Sequence, residues 1–337
     1  MSISTRAPEE LAGQAEQPFR FASPAHKRRM LIIVNPYAST VSDRLRHLVV
    51  YALQGRFEVD AVDTEARGHA IELCREAAHE GYDVVVAFGG DGTVNEAANG
   101  LIGSRGNASA TPLCCLPGGS ANVFAKMLGI PGDVVDATEH LLAMADDWRP
   151  RKVDVGVVNG RCFTFASGLG LDASVVERVD ANPRMKARLG PYYFAWVALT
   201  TLLRRYLHAP PRLALDAGEA GTHEGVTAIV QNGSPFTYFN DRPIDLIGGA
   251  QLDSGALAGG VLHRATPLAM PSIAWRAFSR GARVEAHRQV TGLAQLSELT
   301  VRSLDERALP LQVDGDYLGE VTEARYSILP RALNVIS

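Results

Sequence analysis

The residues best suited to chemistry fall in one run, Asp83-Val-Val-Val-Ala-Phe-Gly89-Gly90-Asp91-Gly92-Thr93-Val-Asn95-Glu96, in which an apolar segment ends in three glycines around an acid. Glycines let consecutive backbone N–H groups approach an anion, and a helix starting directly afterwards adds unpaired donors and a favourable dipole. Phosphate is the anion such a turn fits. Thr93 and Glu96 also match the capping box of a helix start. A bare strand-to-helix turn would use one or two glycines, but it has no need of an acid among three. No Gly-Lys-Ser/Thr follows and there is no G-x-G-x-x-G, so neither a P-loop nor a dinucleotide fingerprint accounts for the run.

Two other segments repeat the same logic. Asn35-Pro36-Tyr37-Ala38-Ser39 ends an apolar run with amide and hydroxyl side chains, and Pro117-Gly118-Gly119-Ser120-Ala121-Asn122 places glycines and an expected N-cap hydroxyl, Ser120, before a helix. Near the other end, Leu311-Gln-Val-Asp314-Gly315-Asp316-Tyr317 sets two carboxylates around a glycine. Asp-Gly-Asp can be a plain hairpin turn. Phosphoryl transfer also calls for such a group, because the acceptor hydroxyl needs a carboxylate to take its proton and a metal to offset charge.

The elements that must position these residues are legible in the periodicity. Met30–Val34, Phe57–Val62, Asp83–Phe88 and Leu113–Leu116 read as strands, and 67–80, a segment from Thr93, 120–128 and 134–145 read as helices, with Gly81 at a C′ position. Strands alternating with helices predict an α/β domain with a doubly wound parallel sheet. After Pro150 the texture changes. Val153–Val158 and Arg161–Ala166 flank Asn159-Gly160, a hairpin signal, and further strand-like runs at 212–215, 226–231, 299–303, 311–313 and 322–329 predict a β-rich, sandwich-like second domain. The expected division is a disordered tail over 1–27, a first domain over 28–148 and a second over 149–337.

Composition narrows the class. With 46% hydrophobic and 21% charged residues the chain reads as globular, and a net charge of −4 argues against a nucleic-acid partner. Cys74, Cys114, Cys115 and Cys162 lack metal-ligand spacing and read as reduced core thiols. The tail has no apolar stretch of signal-peptide or anchor type, which gives a cytoplasmic expectation, with peripheral attachment at the inner membrane face left open. Tyr192–Leu203 is apolar and flanked by Arg184, Lys186, Arg188, Arg204 and Arg205, and is too short to span a bilayer. We read it first as a core helix with solvated ends; its basic flanks and aromatics also suit contact with an anionic membrane surface. A homodimer through open strand edges is compatible with the pattern.

From Arg28 to its end the chain resembles the diacylglycerol kinase catalytic-domain family, which includes sphingoid-base kinases and bacterial lipid kinases. The resemblance rests on the Asn-Pro-x-x-Ser, Gly-Gly-Asp-Gly-Thr and Pro-x-Gly-Ser-x-Asn segments taken together. It implies ATP and Mg²⁺ as cofactors and transfer of the γ-phosphate to a lipid hydroxyl, diacylglycerol giving phosphatidic acid before others. It implies a nucleotide site of Asn35, Pro36, Ser39, Thr64, Gly89, Gly90, Asp91, Gly92, Thr93, Asn95, Glu96, Gly119, Ser120 and Asn122. Asp316, where the family has glutamate, becomes the base, with Asp314 beside it, and Gly168, Gly170 and Asp172 border the acceptor pocket. Asp91, Asp154 and Asp253 are the implied metal ligands. The family's Asp-Asp-Gly-x-Leu-Asp reads Asp253-Ser254-Gly255-Ala256-Leu257-Ala258 here, so two of its acids are missing, and Val123 stands where Asp is common. A kinase of a soluble acceptor such as NAD, or a silent lipid-binding module, are the rival readings.

Overall fold

The computed structural model describes residues 27–103, 109–239, 241–279 and 282–337. The disordered tail expected over 1–27 therefore lies outside the described residues, Lys27 excepted. Four apolar segments form parallel strands β1 (Arg29–Val34), β2 (Glu58–Asp63), β3 (Val84–Gly89) and β4 (Leu113–Pro117), ordered β2-β1-β3-β4. Ile32 stands level with Ala61 on one side and Val86 on the other. The runs in β3 and β4 are apolar without alternation because both faces of these strands are buried.

Helices α1 (Asp43–Gln54), α2 (His69–Glu80), α3 (Asp91–Ile102), α4 (Val123–Met127) and α5 (Val134–Ala143) make the connections. α1 packs with α5 and α2 with α3, as a doubly wound sheet requires. Gly81 ends α2 in the left-handed region at φ 73, its N–H on the Ala77 carbonyl. Because the connections leaving β1 and β3 run in opposite directions, a crevice opens between the carboxyl ends of these two neighbours.

Beyond Pro150 the chain is antiparallel. β5 (Arg151–Val158) and β6 (Arg161–Phe163) form the hairpin signalled by Asn159-Gly160, whose φ angles of 47 and 83 fit a type I′ turn. β7 (Ala166–Gly170) leads to helices α6 (Leu171–Asp180), α7 (Pro183–Leu189) and α8 (Pro191–Thr201). Strands β8 (Leu213–Asp216), β9 (Thr222–Gly225), β10 (Thr227–Gln231), β11 (Thr237–Phe239), β12 (Arg242–Ile244) and β13 (Leu257–Leu262) precede α9 (Ala269–Phe278). The chain closes with β14 (Val290–Leu296), β15 (Glu298–Ser303), β16 (Leu309–Val313), β17 (Asp316–Val321) and β18 (Glu323–Val335).

A six-stranded sheet, β14-β13-β10-β7-β16-β17, faces strands of the first sheet across a core that includes Leu169, Val230, Val261 and Leu311 from one side and Leu215, Leu299, Val301 and Tyr326 from the other. β18 joins the two halves. It pairs with β15, runs antiparallel to β5, bulges at Arg331, and its end lies parallel to β4 with the Ile336 N–H on the Leu113 carbonyl at 2.9 Å.

Two expectations need correction. The capping box does not form: α3 begins at Asp91 behind Gly90, and the Glu96 carboxylate reaches away to the Gly68 and Ala70 amides at 2.8 and 3.3 Å. Nor is Tyr192–Leu203 a core helix. Val197 and Thr201 are buried, but Tyr192, Trp196, Leu199 and Leu203 are exposed, because α6 covers only one side of an element that is apolar on two. All four cysteines are buried and unpaired.

Candidate functional site

The three strand-end turns are hydrogen-bonded into one another. The Asn35 side-chain oxygen accepts the Tyr37 N–H at 3.0 Å, and its amide nitrogen donates to Thr93 Oγ1 at 3.1 Å, so the turn after β1 is pinned to the first turn of α3. The Gly118 N–H donates to the Gly89 carbonyl at 2.8 Å and the Thr40 N–H to the Gly118 carbonyl at 3.1 Å. The glycines are needed for this closeness, since a Cβ at Gly119 would stand 2.7 Å from the Gly90 Cα, and one at Gly118 would stand 3.0 Å from the Gly89 Cα. Asn122, at φ 51, holds both the N–H and the carbonyl of Gly119. Asn122 rather than Ser120 precedes α4, and the side chain that caps this helix is Asp91, whose Oδ1 accepts the Phe124 N–H at 3.1 Å. Burial pushes the Asp91 carboxyl up to about 6 against the pull of those backbone amides.

Asp316 comes to these turns from the far end of the sequence. A Cβ at Gly92 would overlap Oδ2 of Asp316 and stand 3.1 Å from its Cγ, so the carboxylate lies on the glycine loop at the N-terminus of α3. Among the described residues it has no hydrogen-bond partner. Burial raises its pKa to about 6, with Lys186 and Arg67 lowering it and Asp180 and Asp314 raising it. Asp180 links this group: its carboxylate meets Lys186 at 2.8 Å and Arg67 at 3.8 Å and accepts the Tyr317 N–H at 3.2 Å.

Asp314 is the opposite case. It is buried, and its two oxygens accept from Asn95 Nδ2, Thr164 N and Oγ1, Phe165 N and Ala166 N at 2.7 to 3.1 Å. With φ 48 at Asp314 and 81 at Gly315 the pair is a two-residue hairpin turn between β16 and β17, turned inward. Gln312 supports it, accepting the Gly315 N–H at 2.9 Å and donating to Asp172 Oδ2 at 2.7 Å. Asp172 is raised to about 6 by burial and sits against Gly168, where a Cβ would collide with its carboxylate. Gly170 lines a cavity of about 350 Å³ with Ser174, Tyr206, Arg212, Leu309 and Pro310.

The residues expected at the site thus divide. Asn35, Gly89, Gly90, Asp91, Gly92, Thr93, Gly119 and Asn122 meet at the crevice together with Asp316. Pro36 and Ser39 are exposed on the first turn, Ser120 is exposed on the third, and the Thr64 N–H closes β2 on the Val34 carbonyl at 2.8 Å. Asn95 and Glu96 point elsewhere: Asn95 is buried between Asp314, Arg161 and the Cys162 carbonyl, and Glu96 caps α2. The three acids expected to bind metal do not converge. Asp154 is buried and accepts the Arg331 and Gly255 amides at 2.7 and 2.6 Å, Asp253 is exposed on the neighbouring loop, and among the described residues no group of three His, Cys, Asp or Glu could hold a metal ion. Sequence reasoning missed Arg67 and Asp180 as neighbours of Asp316, and it noted Lys186 only as a basic flank.

Known proteins resemble this chain over most of its length. Residues 29–158 match the sequence model of the diacylglycerol kinase catalytic domain. A diacylglycerol kinase of Staphylococcus aureus (strain bovine RF122 / ET3-1) is 26% identical, over 92% of this chain and 93% of its own, and one of Staphylococcus carnosus (strain TM300) is 24% identical, over 88% and 90%. The crystal structure of a diacylglycerol kinase from Bacillus anthracis str. Sterne superposes with a TM-score of 0.65 at 20% identity, covering 93% of this chain and 97% of that one. A second crystal structure from the same organism gives 0.71 at 22%, covering 94% and 98%. Residues 29–158, the segment similar to the diacylglycerol kinase catalytic domain, contain the three strand-end motifs.

Proposed function

We propose that this protein is an ATP-dependent lipid kinase that transfers the γ-phosphate to a lipid hydroxyl, with diacylglycerol as the first acceptor and phosphatidic acid as its product. The observation that carries this reading is the Asp316 carboxylate, unpartnered and raised to about 6, lying on Gly92 at the N-terminus of α3. The relatives named diacylglycerol kinase support the choice of acceptor.

Residues 28–148 hold the nucleotide in this reading and 149–337 hold the lipid. The phosphates lie over the glycine turns, where backbone N–H groups and the α3 dipole offset their charge. The acceptor hydroxyl gives its proton to Asp316 as its oxygen bonds to the γ-phosphorus and the bond from that phosphorus to the β-phosphate oxygen breaks. Lys186 and Arg67 flank the carboxylate from the lipid side and the nucleotide side. Asp314, with every hydrogen bond engaged, positions the turn rather than taking the proton.

Mg²⁺ carried on the nucleotide phosphates would offset the charge on the transferred group and needs only one or two carboxylates; Asp91 is the acid at the crevice that fits. A separate all-protein Mg²⁺ site does not fit, because both Asp154 oxygens are held by amides and Ser254 and Ala258 replace acids.

The test is transfer of labelled γ-phosphate from ATP to a lipid panel in Mg²⁺-containing micelles, with NAD as the soluble control and Asp316→Ala alongside. Labelled lipid that disappears in the variant is expected. Label on NAD alone would assign a soluble acceptor, and ATP binding without any transfer would assign a silent module.

A further inference from the structure

Helix α8 carries two apolar faces, and only one has a partner. Val197 packs with Val175 and Val179 of α6. On the opposite side Tyr192, Trp196 and Leu199, spaced 4 and 3 apart and therefore on one face, are 65, 63 and 48% exposed, and Leu203, in the π-helical turn Leu202–Tyr206 that follows α8, is 53% exposed. The face continues onto two other elements. The Tyr192 ring meets Phe239 of β11 edge-on at 5.7 Å, Phe239 meets Phe278 of α9 at the same distance, and Trp275, one turn earlier on α9, is 64% exposed. Contiguous exposed apolar surface of this kind marks an interaction site.

Charge identifies the occupant. Residues 183–206 contain five Lys and Arg and no Asp or Glu, in a chain whose net charge is −4. Lys186 is paired with Asp180, whereas Arg184, Arg188, Arg204 and Arg205 are exposed and have no carboxylate partner among the described residues. The arginines therefore bracket the aromatic stripe at both ends. We propose that this face docks on an anionic phospholipid membrane, the indole and phenol rings lying at headgroup depth and the arginines reaching lipid phosphates. A second copy of the chain is a poor match, because a two-fold contact through this face would set arginines against arginines.

The basic segment of α7 also reaches the site. Lys186 of α7 holds Asp180, and Asp180 holds the backbone of Tyr317, next to Asp316. A protein seated on the membrane this way presents Asp316 close to the lipid it draws on. The choice of a lipid surface rests on the lipid-kinase reading above.

The experiment is co-sedimentation with vesicles of phosphatidylcholine alone and of phosphatidylcholine with phosphatidylglycerol, alongside phosphorylation of a water-soluble short-chain diacylglycerol. The full chain is expected to bind only the anionic vesicles. Arg188→Ala with Arg204→Ala should weaken that binding roughly 25-fold, at about fivefold for each charge near the surface. Trp196→Asp should abolish it, and both variants should keep their rate on the short-chain acceptor. Equal binding to neutral vesicles, no vesicle binding, undiminished binding by Trp196→Asp, or a dimer that Trp196→Asp dissociates would each overturn the docking face. Binding that follows the expected pattern without phosphate transfer to any lipid would leave the face standing and sink the lipid-kinase reading.

Discussion

A carboxylate that takes a proton near neutral pH must be desolvated enough to want it and free enough to reach it. Asp314 and Asp316, two residues apart, differ on the second count: among the described residues the first accepts five hydrogen bonds and the second none. Because burial raises the Asp316 pKa from 3.8 to about 6, between those values the folded protein keeps a proton that the unfolded chain has released. The stabilising contribution of this group is therefore full below pH 4 and is lost as the pH rises through 6. Asp316→Asn should accordingly raise stability at pH 8 by roughly 1–3 kcal/mol in urea melts, the gain shrinking to nothing near pH 4, while phosphate transfer is lost. In the unsubstituted protein kcat should fall on the acid side with an apparent pKa of about 6; a flat profile between pH 5 and 8 would remove Asp316 from the role of base. Gly92→Ala separates stability from activity in another way. Alanine favours the helix by about 1 kcal/mol, but its Cβ takes the place of the Asp316 carboxylate. An unchanged or higher Tm with a rate lowered about 100-fold is expected, since displacing a catalytic group by 1 Å can cost that much.

At the scale of elements, the local signals were sound wherever the partner was also local. The glycine turn after β3, the type I′ hairpin at Asn159-Gly160 and the C-terminal glycine of α2 are all set by residues within a turn of one another, and the structure shows each of them. What could not be read was which distant group each side chain would meet. Glu96 sits at capping-box spacing from Thr93, yet it neutralises the amides at the start of α2, because α2 and α3 pack side by side and the α2 N-terminus has only Gly68 as its cap residue. Glu96→Ala should thus cost about 1 kcal/mol through α2, visible as faster amide exchange at residues 69–72 and not in α3. The apolar run of α8 was equally ambiguous: composition showed it to be apolar, but only the placement of α6 decides that one face is open. The meeting of Gly92 with Asp316 depends on two strands from different sheets, and no spacing along the chain contains it.

For the whole molecule, the proposed division of labour between 28–148 and 149–337 is not a division of the core. The cluster built on β1, β3 and β4 also contains Val153, Val155, Phe165, Leu333, Val335 and Ile336, so the last strand of the chain covers an edge and part of a face that the first four strands leave open. An uncovered edge of apolar parallel strands invites pairing with other chains. A fragment spanning 27–150 should for this reason fail to form a monomeric folded unit, although it contains all three strand-end turns. In far-UV circular dichroism, dye binding and sedimentation it should behave as an aggregating or molten species. The full chain should instead unfold in one transition, reported alike by Trp148 near β5 and by Trp196 on α8 in single-tryptophan variants. A cooperative fragment that binds ATP would show that the nucleotide half folds alone. Coincident transitions would mean that β18 couples the glycine turns to the hairpin bearing Asp316, so that the site's two halves form or are lost together.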